Sequence, residues 1–100
     1  MLAEFSVVPL GKGESVSEYV AECSKIVEAS GLDYKLGPMG TVLEGSYDRV
    51  MDVVKKCHMR MMELGPRTVT TIKIDDRKKP VTLDSKVRSV EKILGHEVRH

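Results

Sequence analysis

The chain alternates between short runs of apolar and β-branched residues and longer stretches in which apolar residues recur every three or four positions. The short runs are bounded by Gly and Pro, which is typical of strands, and they span residues 2–9, 34–36, 41–45 and 68–75. The longer stretches have the spacing of one helical face. The predicted order is therefore strand–helix–strand, stated twice, with a further helix after the last strand.

Each predicted helix begins at a residue whose side chain can cap it. Ser15 precedes the first helix, and Glu18 three positions later completes a capping box. Ser46 and Asp84 stand at the corresponding positions of the second and third helices. Gly31 follows the first apolar stripe, at the position where a glycine commonly ends a helix.

Two strand–helix–strand units joined by a tight turn make the ferredoxin-like βαββαβ arrangement. We therefore predict an α+β fold with a four-stranded antiparallel sheet, the first and third strands central, and an additional C-terminal helix. Two helices pack on one face of this sheet, and the other face stays uncovered in the monomer. We expect residues 1–95 to form a single domain and residues 96–100 to form a flexible tail.

The segment Gly37–Gly45 is a tight turn that leads directly into a strand. Pro38 and the neighbouring glycines make the turn, and we expect Gly40 to take a positive φ there. Glu44 lies inside the strand, and a carboxylate in a sheet costs free energy unless it is solvated or hydrogen-bonded. Glu44 therefore either makes hydrogen bonds within the protein or contacts a ligand.

Strand alternation assigns a set of polar side chains to the uncovered sheet face. With Phe5, Leu43, Ile72 and Ile74 toward the core, that face carries Glu4, Ser6, Glu44, Thr71 and Lys73. One interpretation is a solvated face with cross-strand pairs such as Glu4 with Lys73. The others are a buried polar network in an oligomer interface and a small-molecule site.

The composition argues against several classes of protein. Charged residues make up 31% of the chain but cancel to a net charge of +1, whereas nucleic-acid binders are normally strongly basic. No apolar run is long enough for a membrane span, and the first residues lack the features of a signal peptide. We therefore expect a cytoplasmic protein with no nucleic-acid or membrane partner. In that compartment Cys23 and Cys57 are predicted to be buried free thiols, with a redox pair as the alternative.

The residues give little support to catalysis. No Ser/His/Asp or Cys/His constellation can be assembled, and His58 has no partner within helical reach to orient it as a base. We predict no enzymatic activity, no cofactor and no metal. The strongest catalytic alternative is an acylphosphatase-type enzyme, which would need an arginine in the loop where Lys12 stands.

Several of these segments resemble the thiamine-binding-protein-like family, the YkoF-like superfamily. The similar segments are residues 5–11, 15–20 and 38–45, and the run Met39-Gly40-Thr41 followed by Glu44-Gly45 is the most specific. The resemblance runs from Leu2 to about Leu94. It implies a ferredoxin-like fold, homodimers or homotetramers formed through the sheet faces, no catalysis, and binding of thiamine or its hydroxymethylpyrimidine moiety.

Matched residue by residue, the resemblance implies that Ser6, Thr41 and Glu44 bind the ligand. A carboxylate such as Glu44 suits the basic ring nitrogen and amino group of an aminopyrimidine, with the two hydroxyls beside it. We predict a non-enzymatic small-molecule-binding protein whose ligand lies at the sheet and subunit interface. The alternative is a structural or interaction oligomer in which the polar sheet face only forms the subunit interface.

Overall fold

The structure, a computed structural model, describes residues 1–11 and 17–100. Its elements are β1 (Leu2–Leu10), α1 (Ser17–Ser30), β2 (Asp33–Leu36), β3 (Thr41–Glu44), α2 (Tyr47–Leu64), β4 (Arg67–Asp75) and α3 (Ser85–Leu94). Their order confirms the predicted βαββαβ arrangement with an additional C-terminal helix. The predicted cap at Ser15 lies outside the described residues.

The strands form an antiparallel four-stranded sheet in the order β2-β3-β1-β4. As predicted, the first and third strands are central. β1 pairs with β4 along its whole length, from Leu2 opposite Asp75 to Leu10 opposite Arg67. Its pairing with β3 is shorter and ends where Phe5 lies opposite Thr41.

The core lies between one face of the sheet, here called the helix face, and α2. Ala3, Phe5 and Leu43 point into it, which confirms the predicted strand alternation. Helix α2 contributes a complete buried stripe, consisting of Val50, Val53, Val54, Cys57 and Met61. Each fully buried side chain of this size stabilises the fold by roughly 1.5–3 kcal/mol. Helix α1 buries only Val27 completely, so α2 is the main support of the sheet.

The expectation of a positive φ at Gly40 is wrong, because the positive φ angles of the described glycines occur at Gly11, Gly31 and Gly95. Gly40 is required for a different reason. A Cβ atom there would lie 2.9 Å from the carbonyl oxygen of Phe5. The turn between β2 and β3 therefore packs backbone against backbone on β1, and only a residue without a side chain fits.

The prediction that Ile74 belongs to the core is wrong as well. Ile74 lies opposite Ala3 on the helix face, but it remains 41% exposed. Its strand, β4, is an edge of the sheet, so Ile74 has a neighbouring strand on one side only. Ile72, two residues earlier on the same strand, packs against the core as predicted.

Two of the predicted helix caps differ in how they work. Ser46 accepts a hydrogen bond from the backbone N–H of Arg49 at 3.4 Å and caps α2. Asp84 occupies the N-cap position of α3 but makes no capping hydrogen bond. Its carboxylate pairs instead with the ammonium group of Lys35 on β2. The N-terminus of α3 is thus tied to the sheet by an ion pair.

Helix α3 is amphipathic, and no residue along it is buried. Its apolar stripe is exposed, most of all at Ile93, whose exposed fraction is 86%. The radius of gyration is 14.9 Å, whereas a compact chain of this length has about 13 Å. The additional helix therefore extends the molecule and adds little to its core.

Candidate functional site

The ladder between β1 and β3 determines which backbone groups of β1 are already in use. The amino group of Met1 donates to the carbonyl of Gly45 at 2.9 Å, and the N–H of Gly45 donates to the carbonyl of Met1 at 3.0 Å. In an antiparallel pair, such doubly bonded residues alternate with residues that bond to the other side. Ala3 and Phe5 therefore also direct their N–H and C=O groups toward β3.

Val7 is the next residue in this series, but β3 does not extend far enough to pair with it. β3 begins at Thr41, opposite Phe5, whereas β1 continues to Leu10. The backbone N–H and C=O of Val7 consequently point to the place that β3 would occupy if it were longer. The turn at residues 37–40 lines the same pocket as Val7 but forms no ladder with it. No described residue pairs with Val7 on this side.

Pro9 follows the same alternation two residues later. It lies opposite Thr68 of β4, at a position where the β1–β4 ladder uses no N–H of β1. A proline is tolerated in a strand where its missing N–H faces an edge. The presence of Pro9 is thus consistent with an unpaired edge along the end of β1.

A pocket of about 190 Å³ occupies the space beyond the end of β3. Residues 5–9 of β1 and residues 36–41 of the hairpin form two of its walls, and Val20 and Cys23 of α1 form the third. Most of the lining is apolar, and Ser6 and Thr41 contribute hydroxyl groups. An apolar cleft with a few polar groups is the usual form of a small-molecule site.

The structure brings two of the three predicted ligand residues to this pocket. Thr41 lies opposite Phe5 and so shares the helix face, whereas Ser6 lies opposite Thr71 on the other, open face. They nevertheless line the same pocket, because it lies at the end of β3 where both faces are accessible. Glu44 is about 10 Å further along the strand, at about 3.4 Å per residue, and is not among the lining residues.

Glu44 has a partner within the chain. Its Oε1 accepts a hydrogen bond from the backbone N–H of Leu83 at 2.9 Å. Lys35, on the neighbouring strand and the same open face, pairs with Asp84. The two contacts hold the segment before α3 against the sheet. A role of Glu44 in ligand binding stays a prediction.

The open face has the composition expected from the strand alternation. Glu4 lies opposite Lys73, and Ser6 opposite Thr71. Toward the other end of the same two strands, Val8 and Val69 lie opposite each other and are 41% and 43% exposed. The face is therefore polar near Glu4 and apolar near the pocket.

Both cysteines are free, as predicted, but only Cys57 is fully buried. Cys23 is half-buried because its side of α1 borders the pocket. The Cys57 thiol donates to the carbonyl oxygen of Cys23 at 3.7 Å. When Cys23 ionises, a hydrogen bond from the Cys57 thiol to its thiolate lowers the pKa of Cys23, and the same hydrogen bond together with burial raises the pKa of Cys57. Cys23 is thus the more acidic and more accessible thiol.

Other groups with possible chemistry lie elsewhere. His58 Nδ1 is 2.6 Å from Thr70 Oγ1, at the helix face of β4 and outside the pocket lining. Within residues 1–11 and 17–100, no group of three or more His, Cys, Asp or Glu side chains is arranged to hold a metal ion. Over the same residues no helix is both long and apolar enough to cross a membrane.

Sequence reasoning missed the main-chain groups of Val7 and the apolar wall from α1. The signal for the first was the unequal length of the strands, since residues 2–9 were expected to pair with a strand of only residues 41–45. The surplus of the longer strand must remain unpaired on one side. No signal in the sequence shows that Val20 and Cys23 close the space beside it.

Fold and pocket together define a small ferredoxin-like α+β protein with an apolar cleft at the end of a central strand. The family model described as thiamine-binding protein matches residues 3–91, and the chain belongs to this family. The match confirms the resemblance seen in the sequence. The family is named for binding and not for a reaction.

Relatives extend over nearly the whole chain. UPF0045 protein sll0230 of Synechocystis is 41% identical over 93 residues, which cover 91% of this chain and 77% of the relative. UPF0045 protein YqgV of Bacillus subtilis is 40% identical over 100 residues, which cover 93% and 96%.

Solved structures agree with the fold. Protein MJ1052 of Methanocaldococcus jannaschii has a TM-score of 0.85 at 36% identity, and the match covers 91% of this chain and 95% of that one. A Thermotoga maritima protein, provisionally described as a thiamine biosynthesis/salvage protein, has a TM-score of 0.79 at 25% identity, with 89% and 96% covered.

Proposed function

We propose that this protein is a non-enzymatic binder of thiamine or of its hydroxymethylpyrimidine moiety, and that the ligand occupies the pocket at the end of β3. The observation that carries the proposal is the pocket itself. It is built from the segment 37–41, which contains part of the most specific family motif, and it gathers Ser6 and Thr41. Family membership and the description of the Thermotoga maritima relative support the choice of ligand.

The size of the pocket favours the pyrimidine half. Sites that enclose a whole drug-sized ligand have volumes of roughly 300–1,000 Å³, and this pocket has about 190 Å³. A single substituted ring fits such a space better than the complete two-ring molecule. The thiazolium part of thiamine then extends out of the pocket.

The lining suits a ring with a polar edge. Val20, Leu36 and Pro38 offer apolar contacts to the ring faces, and burying those faces supplies most of the binding free energy. The hydroxyls of Ser6 and Thr41 can each donate or accept a hydrogen bond at the ring edge. These contacts orient a heteroaromatic ligand and involve no catalytic step.

Calorimetry with thiamine, hydroxymethylpyrimidine and thiamine phosphates tests the proposal. Thr41→Val keeps the β-branched shape but removes the hydroxyl, so affinity should fall roughly 2- to 12-fold, equivalent to about 0.5–1.5 kcal/mol. Thr71→Val is the matched control, because it makes the same change at an exposed position of β4 outside the pocket lining, and it should leave affinity unchanged. Absence of binding by every ligand at millimolar concentration would overturn the proposal.

We also propose that the protein self-associates through the open sheet face, as dimers or tetramers. The observation in favour is that Val8 and Val69 on this face and Ile93 on α3 are all exposed in a single chain. A chain of 100 residues buries a limited share of its surface, so covering these apolar side chains in an assembly would increase its stability. Light scattering over a concentration series tests this. A persistent 11.1 kDa species would contradict it, and Val69→Glu should dissociate any assembly that uses the face.

A further inference from the structure

The N–H and C=O groups of Val7 are directed into the pocket without a described partner. In the unliganded protein, water can bond to them through the pocket opening. A ligand that fills the pocket removes this water and leaves both groups unpaired unless it replaces their hydrogen bonds. Buried backbone groups are almost always paired, because leaving them unpaired costs free energy.

The two groups form a fixed pattern. They belong to one residue, lie in the plane of the sheet and face the same edge, as in any antiparallel strand. The β1–β4 ladder holds them rigidly, since Ser6 and Val8 on either side pair with Thr71 and Val69. A ligand must therefore present an acceptor and a donor side by side in one plane.

We propose that the backbone of Val7 recognises the ligand, with its N–H donating to a ring nitrogen and its C=O accepting from an adjacent amino group of a planar heteroaromatic ring. This inference rests on the proposed function and names the chemistry that the site reads. The 4-aminopyrimidine edge carries this acceptor and donor next to each other. The ring takes the place of the missing residues of β3.

A peptide strand added to the same edge is the competing occupant, since exposed strand edges can bind extended peptides. Two features of the pocket oppose it. Pro9, the next residue facing the edge, has no N–H, so a peptide would lose the following ladder bond. The hairpin turn and α1 also close the space around Val7 to about 190 Å³. A single ring is the better fit.

The first test uses the full-length, ¹⁵N-labelled protein and two matched compounds. One is 4-amino-5-hydroxymethyl-2-methylpyrimidine, and the other replaces its amino group by methyl, which keeps the shape and removes the donor. We expect the amino compound to slow hydrogen exchange of the Val7 amide and to bind roughly 10- to 100-fold more tightly than the methyl compound. Equal affinity, or an unchanged Val7 amide while Ser6 and Thr41 signals shift, would overturn the inference alone.

The second test removes the donor from the protein. Val7→Pro deletes the N–H, and Pro9 shows that β1 accommodates proline at a position of this orientation. The affinity of this variant for the amino compound should fall by roughly 10-fold or more. The control Val7→Ala keeps the N–H and should still bind the amino compound more tightly than the methyl compound. If Val7→Pro does not fold, the affinities of the wild-type protein for the amino and methyl compounds still test the inference. If neither compound shifts any signal of the pocket residues, both the proposed function and this inference are wrong. Binding of an extended peptide, without binding of either compound, would also overturn the inference.

Discussion

The two ends of strand β3 differ sharply although only a few residues separate them. At the Glu44 end the ladder continues beyond the strand, because Met1 and Gly45 exchange two hydrogen bonds. Glu44 itself is bonded to the segment before α3. At the Thr41 end the ladder stops, and the neighbouring strand β1 runs on beside a pocket. One end is closed by the chain, and the other borders the pocket.

The difference shows how strands of unequal length can create a pocket in a small sheet. β3 is shorter than β1, so the surplus of β1 must be unpaired at one end or at both. Met1 closes one end by its two hydrogen bonds with Gly45, and at the other end the turn at residues 37–40 lines the pocket. In the proposed site the recognition groups come from the backbone of Val7, and the side chains mainly shape the walls.

The largest effect should come from filling the space at the open end. Gly40→Ala places a Cβ 2.9 Å from the carbonyl oxygen of Phe5, which is backbone of a central strand and cannot move aside easily. We expect a loss of about 2–3 kcal/mol in the free energy of unfolding, measured by chemical denaturation. Gly45→Ala at the closed end is the control. Its Cβ would meet Leu32 Cδ2 at 2.9 Å and Val50 Cγ2 at 3.4 Å, which are ends of side chains and can shift more easily than strand backbone, so a smaller cost would support the comparison.

A moderate effect should follow from cutting the contact at the closed end. Glu44→Ala removes the acceptor for the Leu83 N–H, so stability should fall by about 1 kcal/mol. Amide exchange in α3 should rise, whereas affinity for the pyrimidine should stay constant. If affinity instead falls more than the Thr41→Val variant predicts while α3 stays protected, Glu44 binds the ligand, as the sequence resemblance implies.

A difference in reaction rate should distinguish the two cysteines. Cys23 borders the pocket and its pKa is lowered by hydrogen bonding with Cys57, whose own pKa is raised. Iodoacetamide should therefore modify Cys23 before Cys57. When the rate of Cys23 modification is followed against pH, it should reach half of its maximum at a pH below 9.0, the ordinary thiol pKa. Mass spectrometry after limited labelling checks this. Bound pyrimidine should slow the labelling of Cys23. An equal labelling rate with and without saturating pyrimidine would show that the ligand binds elsewhere.

The smallest effect concerns the ion pair between Lys35 and Asp84. Hydrogen bonding to Lys35 lowers the pKa of Asp84 below its ordinary value of 3.8. A group with a lowered folded-state pKa stabilises the fold above its unfolded pKa, and this contribution is lost as the pH falls through the folded value. Amide exchange in α3 should therefore differ between wild type and Lys35→Ala well above pH 3.8 and become equal well below it. A difference that persists in acid would assign the effect to packing.

The order of strand-like and helix-like segments was enough to predict the fold, and strand alternation was enough to predict the two sheet faces. Phe5 and Leu43 fix the register, because a slip by one residue would expose both of them. Ser46 was predictable as a cap because its partner, the N–H of Arg49, lies three residues away in the sequence. Local signals of this kind do not depend on the rest of the molecule.

The remaining features depend on contacts between distant residues. Gly40 is required by the approach of Phe5, and Glu44 is bonded to a residue 39 positions away. The pocket exists only where the end of β3, the hairpin and α1 come together, so Ser6 and Thr41 could be matched by motif but not placed by spacing. The exposure of Ile74 likewise follows from its position on an edge strand, which periodicity does not reveal.

The most direct measurement is a crystal structure of the protein with hydroxymethylpyrimidine bound. If the open end of β3 is the site, the ring will lie between Val20, Ser6 and Thr41, with its amino edge toward the backbone of Val7. The hydrogen bond between Glu44 and Leu83 will remain in place. A ring found beside Glu44 on the open sheet face, or an empty pocket at saturating ligand, would contradict the assignment of the two ends.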